Sequence, residues 1–171
     1  MLFVGTLEAR KNAMTIAKGL KDTNHHMVFV GKVKAHGEKL KTYVKENNMQ
    51  DRVLFIHHID IEDLAGIYQN ATVFCYPSFF EGFGIPIIEA LHSGVPVITT
   101  KGGCFSEAGG SSSIYIDPHS ETELQTAVKS LYAESHISRE KRIESGFNYV
   151  QQFNDKALAK QWNRLYKSLL T

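Results

Sequence analysis

Two carboxylates and two glycines stand close together in the middle of the chain. Gly82 and Gly84 come within three residues of Glu81, and seven residues separate Glu81 from Glu89. Glycines let a backbone approach a ligand closely, and a helix start offers unpaired N–H groups and a partial positive charge that suit a phosphate. A carboxylate can also accept hydrogen bonds from the diol of a ribose. The pattern therefore indicates a ligand with phosphate and hydroxyl groups.

The same stretch also has a purely structural explanation. Pro86 suits the first position of a helix, and Gly94 suits the left-handed residue that ends one, so we predict a helix over residues 85–93 with Glu89 in its first turn. Acidic residues near a helix start stabilise it through the helix dipole. Taken alone, these residues leave both explanations open.

Two basic residues, Arg10 and Lys11, follow the first apolar segment, residues 1–6. Cations in a loop at this place would neutralise the charge that develops on a departing diphosphate. The alternative is a solvated basic pair at the start of a helix, which the helix dipole disfavours. We favour the functional explanation for this reason.

Composition and cysteine usage exclude several classes of protein. The 171 residues suit one domain, with 43% hydrophobic and 22% charged residues. Lys and Arg number 19 against 18 Asp and Glu, so no large charged surface favours nucleic acid or a membrane. Cys75 and Cys104 have no metal-ligand spacing and form no disulfide framework, in agreement with a reducing cytoplasm. We recognise neither a membrane span nor a signal peptide at Met1.

Neither the histidine pairs nor the acidic segment at residues 60–63 predicts a metal site. Adjacent side chains such as His57 and His58 do not converge on one ion from a strand end, and no third ligand is near in sequence. Asp60 is better explained as the N-cap of a helix than as part of an Asp-x-Asp metal motif. These residues therefore predict no metal site.

Short apolar segments alternate with amphipathic segments along the chain, which predicts a Rossmann-like α/β fold, a parallel sheet with helices on both faces. Ligands of such sheets bind beyond the carboxyl ends of the strands, where we expect Gly5, Gly31, His57 and residues 79–84. The predicted strands are residues 1–6, 26–31, 52–56, 71–76, 95–100 and 112–116. The predicted helices are residues 12–20, 37–47, 61–69, 85–93, 120–132, 134–150 and 154–170.

Some details of these helices are predicted as well. Ser120 and Glu123 form the pattern of a capping box. Residues 102–110 are expected to be a glycine-rich loop. The last two helices are expected to pack through apolar side chains, namely Phe147, Val150, Leu158, Trp162, Leu165 and Leu169.

The string EGFGIPIIE at residues 81–89, followed by ALHSGVPVIT, resembles the E-x7-E signature of retaining glycosyltransferases of family four, which have the two-domain GT-B architecture. Residues 102–110 and the Tyr-Ile-Asp-Pro segment at residues 115–118 are similar to further motifs of that family. The resemblance covers essentially all of residues 1–171. It implies that the chain is the C-terminal, nucleotide-sugar-binding half of such an enzyme, without its N-terminal acceptor-binding domain.

The resemblance also implies roles for single residues around the central motif. Glu81 would contact the donor sugar as a catalytic residue, and Glu89 would bind the ribose diol. The amides of Gly82, Phe83 and Gly84 would hold the sugar and the distal phosphate.

Two further positions follow from the resemblance with departures from the usual family pattern. Lys11 matches the family's lysine, but Thr6 stands at the usual arginine position, as in a subgroup with a Gly-Thr-x-x-x-Arg-Lys-Asn pattern. Arg10 would then supply the second catalytic cation. Ile59 would contact the nucleotide base, although His57 replaces the glycine of the family's Phe-x-Gly-x-Val pattern and puts the shape of the base pocket in question.

The function implied by the resemblance is retaining, metal-independent glycosyl transfer in polysaccharide or glycan biosynthesis. The donor substrate would be a nucleotide-diphosphate sugar, with GDP-mannose favoured and a UDP-sugar next, and no cofactor is expected. We expect a cytoplasmic protein that binds no nucleic acid, and we leave open contact with the inner face of the membrane through the missing half. The isolated domain is expected to be inactive. The alternatives are a non-catalytic nucleotide-sugar-binding module or split-transferase subunit, and a nucleotide-sugar epimerase, which the E-x7-E string disfavours.

Overall fold

Six short parallel strands form one sheet in the computed structural model, which describes residues 1–170. Each lies within a predicted segment, and apart from Thr99 and Thr100 of the fifth strand they are largely apolar, as expected for strands that are covered on both faces. The strands are β1 (Leu2–Val4), β2 (Met27–Val30), β3 (Val53–Ile56), β4 (Phe74–Tyr76), β5 (Val97–Thr100) and β6 (Ile114–Ile116).

Within the described residues, eight α-helices connect and follow these strands. They are α1 (Ala13–Gly19), α2 (Ala35–Glu46), α3 (Ile61–Gln69), α4 (Ile85–His92), α5 (Gly103–Gly109), α6 (Glu121–Tyr132), α7 (His136–Val150) and α8 (Asp155–Leu169). Helix α1 packs against α2 and α6, whereas α4 packs against α3, α5 and α7. Helices therefore cover both faces of the sheet, and the predicted Rossmann-like class is confirmed. None of the described helices has the length and apolar character that crossing a membrane requires.

The strand order places a crevice between the first and fourth strands. The order across the sheet is β3-β2-β1-β4-β5-β6, so the chain runs outward from β1 to β3 and then returns to β4, next to β1. At such a reversal the loops leave the sheet in opposite directions and open a crevice at the carboxyl ends of the strands. The loops that follow β1 and β4, residues 5–8 and 77–84, border this crevice.

A row of aromatic side chains crosses the centre of the sheet. Phe29 contacts Phe55 and Phe3, with ring centres 5.4 and 5.9 Å apart, because these residues are in register on β3, β2 and β1. The row continues from Phe3 to Tyr76 at 5.8 Å and from Tyr76 to Phe74 at 5.7 Å. The core therefore holds the ring of Tyr76 at the end of β4, facing the crevice end of the sheet.

The structure corrects the prediction of a glycine-rich loop over residues 102–110, because most of this stretch is helix α5. Gly102, the N-cap of this helix, and Gly103, its first residue, both have positive φ. Phe105 and Ala108, three positions apart, are buried on one helical face, and this burial stabilises a turn that the glycines disfavour.

Helix α4 lies where it was predicted, but its start differs. Gly84 is the N-cap with φ 93°, the helix begins at Ile85, and Pro86 takes its second position. Glu89 therefore lies in the second turn and not in the first, so it does not complement the helix dipole as expected. Gly94 has φ 75°, and the predicted left-handed stop is confirmed.

Two predicted caps are only partly formed. Ser120 accepts a hydrogen bond from the N–H of Glu123 at 3.1 Å, but the Glu123 carboxylate accepts from the N–H of Asp117 at 2.9 Å instead of closing the box. Asp60 occupies the N-cap position of α3, although its side chain makes no capping hydrogen bond.

The prediction that the last two helices pack through six apolar side chains is wrong for the four residues on α8, whereas the ring of Phe147 packs against His92, with ring centres 5.3 Å apart. Val150 is 3% exposed, but the other side chains of the set are 39–72% exposed. Leu158, Trp162 and Leu165 line a groove on α8, and within residues 1–170 nothing covers it. Amphipathic periodicity predicts a face that is buried, but it does not say what buries it.

The close approach of β1 and β2 gives a test of the fold. Gly31 has φ 141°, and an added Cβ would collide with the carbonyl oxygen of Gly5. We expect Gly31→Ala to lower the free energy of unfolding by about 3 kcal/mol, because it combines backbone strain with a collision against main chain. Urea denaturation measures this change.

Gly66→Ala is the matched control for this substitution. Gly66 lies inside α3, and an added Cβ there has no neighbouring heavy atom within 4 Å. This variant should gain about 0.5–1 kcal/mol from the better helix propensity of alanine. Equal unfolding free energies for Gly31→Ala and the parent chain would contradict the close approach.

Candidate functional site

The carboxylate of Glu81 lies between the two predicted cations. Lys11 Nζ is 2.7 Å from Glu81 Oε1, and Arg10 Nη1 is 3.2 Å from Glu81 Oε2. Both cations come from a 3₁₀ turn after β1, Ala9–Lys11, whereas Glu81 comes from the loop after β4. Because β1 and β4 are neighbours, the structure brings together the three residues predicted as catalytic.

Hydrogen bonds to the main chain hold the surrounding loops together. The N–H of Phe79 donates to the carbonyl oxygen of Arg10 at 2.8 Å. Asn12, in a left-handed conformation with φ 54°, donates from Nδ2 to the carbonyl oxygens of Pro77 at 3.0 Å and Pro118 at 2.7 Å. Asn12 therefore ties together the loops that follow β1, β4 and β6.

Tyr76 supports the cluster from the end of β4. Its side chain is fully buried, and its hydroxyl accepts a hydrogen bond from Lys11 Nζ and donates one to Glu81 Oε1 at 3.0 Å. Burial raises the pKa of Tyr76, and the Glu81 carboxylate raises it further, so the hydroxyl stays protonated at neutral pH. We call Arg10, Lys11, Tyr76 and Glu81 the Glu81 cluster.

The acidic and basic side chains of this cluster stay charged because they pair with one another. Burial alone would raise the pKa of Glu81, but the hydrogen bond and the charge of Lys11, together with the hydroxyl groups of Ser78 and Tyr76, outweigh it, so the pKa lies below its ordinary value. Burial would lower the pKa of Arg10, but the Glu81 carboxylate raises it above its ordinary value. The side chains of Lys11 and Glu81 are only 10% and 9% exposed, so solvent and salt screen this pair weakly.

The pairing of charges continues outward from the cluster. Glu8 Oε1 is 2.8 Å from Arg10 Nε, and Glu8 Oε2 is 2.9 Å from Lys34 Nζ. The whole array holds the three cations Lys34, Arg10 and Lys11 against the two carboxylates Glu8 and Glu81. This array of five side chains therefore carries one net positive charge.

Open main-chain donors follow Glu81 directly. Within residues 1–170, the N–H groups of Gly82, Phe83 and Gly84 have no intramolecular acceptor. Gly84 is also the N-cap of α4, whose first turn adds partial positive charge. These groups lie beside the Glu81 cluster because they share its loop.

Helix α5 packs against this loop from outside. Cys104 Sγ donates to the carbonyl oxygen of Glu81 at 3.2 Å. A Cβ added to Gly84 would lie 3.0 Å from Ala108 Cβ, and φ at Gly84 is positive, so glycine suits both the conformation and the contact.

Glu89 is not part of the Glu81 cluster. Its side chain is exposed, and its Oε2 accepts a hydrogen bond at 2.9 Å from the hydroxyl of Tyr68 on α3. It lines a cleft of about 190 Å³ between α3 and α4. The other residues that line this cleft are Ile61, Leu64, Ala65, Tyr68, His92 and Ser93.

Ile59, the predicted base contact, lies at the carboxyl end of β3, which is two strands away from β1. It is partly buried against the core. The neighbouring His57 is exposed, and its Nε2 lies 3.5 Å from Lys41 Nζ. Ile59 and His57 therefore lie at the β3 side of the carboxyl edge of the sheet, and the role of Ile59 stays a prediction.

Sequence reasoning missed the two buried tyrosines that hydrogen-bond the predicted carboxylates. The sequence pattern places Tyr76 in an apolar strand and Tyr68 in a helix, and it assigns no role to their hydroxyl groups. A buried tyrosine hydroxyl needs a polar partner, so a tyrosine in an otherwise apolar segment that leads into a candidate loop was an available signal. Nothing in the sequence position of Glu8 indicates that it extends the charge array.

Comparison with known proteins identifies the family. The family model of the glycosyl transferases group 1 matches residues 1–167. An O-antigen chain mannosyltransferase, RfbU of Salmonella typhimurium, is 31% identical over 132 residues, which are 76% of this chain and 37% of that protein. The O-antigen chain mannosyltransferase B of Escherichia coli is 27% identical over 175 residues, which cover 98% of this chain and 45% of that protein.

The structure matches a solved enzyme of the same kind. Sucrose-phosphate synthase from Thermosynechococcus elongatus superposes with a TM-score of 0.87 at 30% identity, over 99% of this chain and 45% of that one. The chain thus spans less than half the length of the relatives it matches. The resemblance to family four, GT-B-type glycosyltransferases is confirmed, and the chain belongs to the glycosyl transferases group 1 family.

Proposed function

We propose that this chain is the nucleotide-sugar-binding domain of a retaining, metal-independent glycosyltransferase. The observation that carries the proposal is the position of the Glu81 cluster in the crevice between β1 and β4, beside the open N–H groups of residues 82–84. A surplus cation, unpaired main-chain donors and a helix start together attract a diphosphate. A carboxylate at the same place accepts hydrogen bonds from sugar hydroxyls.

In this proposal, different residues bind different parts of the donor substrate. Lys11 and Arg10 stabilise the charge on the departing diphosphate, and the amides of residues 82–84 bind the sugar and the distal phosphate. Glu81 contacts the donor sugar while it keeps both cations in place. Glu89 accepts hydrogen bonds from the ribose diol in the cleft between α3 and α4.

No residue of this chain needs to act as a nucleophile. The acceptor hydroxyl attacks from the face that the diphosphate leaves, and a diphosphate oxygen takes the hydroxyl proton. The chain then contributes positioning and electrostatic stabilisation of the leaving group. Side-chain cations and main-chain donors do this work, so the proposal includes no metal and no cofactor.

The favoured donor is GDP-mannose, with a UDP-sugar next, and the favoured process is polysaccharide synthesis. Two relatives are named O-antigen chain mannosyltransferases, which supports a mannosyl donor and a polysaccharide product. The Gly5-Thr6 and Arg10-Lys11-Asn12 pattern also supports a mannosyl donor, through its resemblance to a family subgroup.

A second, acceptor-binding domain completes the enzyme in this proposal. The relatives are more than twice as long as the matched region, and α8 exposes Leu158, Trp162 and Leu165 on one face. An apolar face of this kind is expected to be covered in the complete enzyme. The 171-residue chain alone is therefore expected to bind the donor without transferring its sugar.

Calorimetric titration with GDP, UDP and ADP, with and without magnesium, tests the central claim. We expect one diphosphate to bind, with the same affinity in the presence and absence of the metal. A ligand at one hundred times its dissociation constant should stabilise the fold by about 2.7 kcal/mol, so thermal shifts can screen the same panel. Absence of binding by all three, or binding that requires magnesium, would contradict the proposal.

Lys11→Ala tests the assignment of the diphosphate. We expect this variant to bind the preferred nucleoside diphosphate about tenfold more weakly, because it loses one charge-assisted interaction, and to bind the nucleoside unchanged. Lys18→Ala, which removes an exposed cation on α1, is the control and should change neither affinity. Equal losses for diphosphate and nucleoside in Lys11→Ala would remove the phosphate role of Lys11.

Glu89→Ala tests the assignment of the ribose. We expect the affinity for the preferred nucleotide to fall about tenfold, and the affinity for its 2′,3′-dideoxy analogue to stay the same, because only the ribose diol donates to the carboxylate. Titration of both ligands measures the difference. A similar loss for the two ligands would show that Glu89 acts elsewhere than on the diol.

A further inference from the structure

The contact between α3 and α4 contains a polar pair that the proposed reaction does not yet use. Tyr68, near the end of α3, is 2% exposed, and its ring packs against Phe74 with ring centres 5.5 Å apart. Its hydroxyl donates to Glu89 Oε2 at 2.9 Å. Within residues 1–170, this is the one hydrogen bond that the Glu89 carboxylate receives.

The two partners differ in mobility and exposure. The ring of Tyr68 is enclosed by the core, so its hydroxyl has a fixed position. Glu89 stands on an exposed part of α4, and an unrestrained carboxylate there would sample several rotamers. The hydrogen bond from the buried Tyr68 hydroxyl therefore restricts the rotamers of the exposed Glu89 side chain.

We propose that Tyr68 is a positioning residue for ribose recognition, which rests on the function proposed above. Its hydroxyl engages Oε2 and fixes the Glu89 carboxylate so that Oε1 faces the cleft between α3 and α4. Oε1 and the second lone pair of Oε2 then accept from the two hydroxyls of a vicinal diol. Glu89 acts on the ligand, and Tyr68 acts through Glu89.

The surroundings of this pair suit a nucleoside. Ile61, Leu64 and Ala65 supply apolar walls on α3, and Glu89 is the one carboxylate among the residues that line the cleft. A ribose has an apolar face and a diol, so walls of this kind beside one oriented carboxylate match both parts. Because the Glu89 carboxylate is already oriented, ligand binding costs less side-chain conformational entropy.

The protonation state of Tyr68 keeps the pair intact over the physiological pH range. Burial raises the pKa of the hydroxyl, and the Glu89 carboxylate raises it further. The Tyr68 hydroxyl therefore remains a donor at neutral pH.

Tyr68→Phe tests the proposal, because it keeps the ring in the core and removes only the hydroxyl. We expect the affinity for the preferred nucleoside diphosphate to fall about fivefold, and the affinity for its 2′,3′-dideoxy analogue to stay the same. In a Glu89→Gln background, Tyr68→Phe should produce no further loss of ribonucleotide affinity beyond measurement error. Isothermal calorimetry on the 171-residue chain measures all of these values.

Tyr115→Phe is the matched control. Its hydroxyl donates to the carbonyl oxygen of Gly110, so the substitution removes a partly buried hydrogen bond outside the cleft, and it should leave both nucleotide affinities unchanged. If Tyr115→Phe lowers the stability of the fold, it should still leave the ratio of ribonucleotide to dideoxynucleotide affinity unchanged. A change in this ratio therefore cannot be explained by lower stability.

The outcomes separate this inference from the proposed function. A parent chain that discriminates ribose from dideoxyribose through Glu89, together with an unchanged Tyr68→Phe variant, overturns only the role of Tyr68. Equal losses for the two ligands in Tyr68→Phe also overturn it, because they indicate a structural effect on the cleft. A parent chain that binds no nucleoside diphosphate overturns both proposals.

Discussion

The ion pair between Lys11 and Glu81 is the interaction on which the candidate site depends. An ammonium or a carboxylate buried alone at this depth would lose several kcal/mol of hydration free energy, so each group requires the other. The two charged groups are in direct contact at 2.7 Å, and the Tyr76 hydroxyl hydrogen-bonds to both of them. Because the partners come from the loops after β1 and β4, the pair also joins these loops and fixes the crevice that they border.

The topology of the sheet makes this pair available. Strand order β3-β2-β1-β4-β5-β6 places β4 beside β1 although three strands and three helices separate the pair's two loops in sequence. The aromatic row from Phe55 to Tyr76 then fixes the height of the Tyr76 hydroxyl under the loops. The packing of the core therefore also sets the geometry of the site. This is why Tyr76, a core residue, contacts both charged groups.

The two carboxylates of the central motif occupy contrasting environments. Glu81 is largely buried and held by two cations, so it organises charge at the crevice. Glu89 is exposed and receives one hydrogen bond from a neutral hydroxyl, so it keeps capacity to accept from a ligand. Their separation along the sequence predicts neither environment. The contrast between the two environments arises because Glu89 lies one turn past the start of α4, facing α3. The loop before α4 instead directs Glu81 back toward β1.

The amino-acid sequence by itself determined the alternation of strands and helices, the fold class and the helix α4 between Gly84 and Gly94, because these depend on local periodicity, glycine and proline. It also identified Arg10, Lys11 and Glu81 as candidate site residues, but not Glu8 or Lys34. Only the tertiary structure decided that α5 is a helix, that Glu89 pairs with Tyr68, and that Tyr76 joins Lys11 to Glu81, because these depend on burial against residues distant in sequence. The exposed face of α8 belongs to the second group as well. Its periodicity requires a partner surface, and periodicity carries no information about where that surface lies.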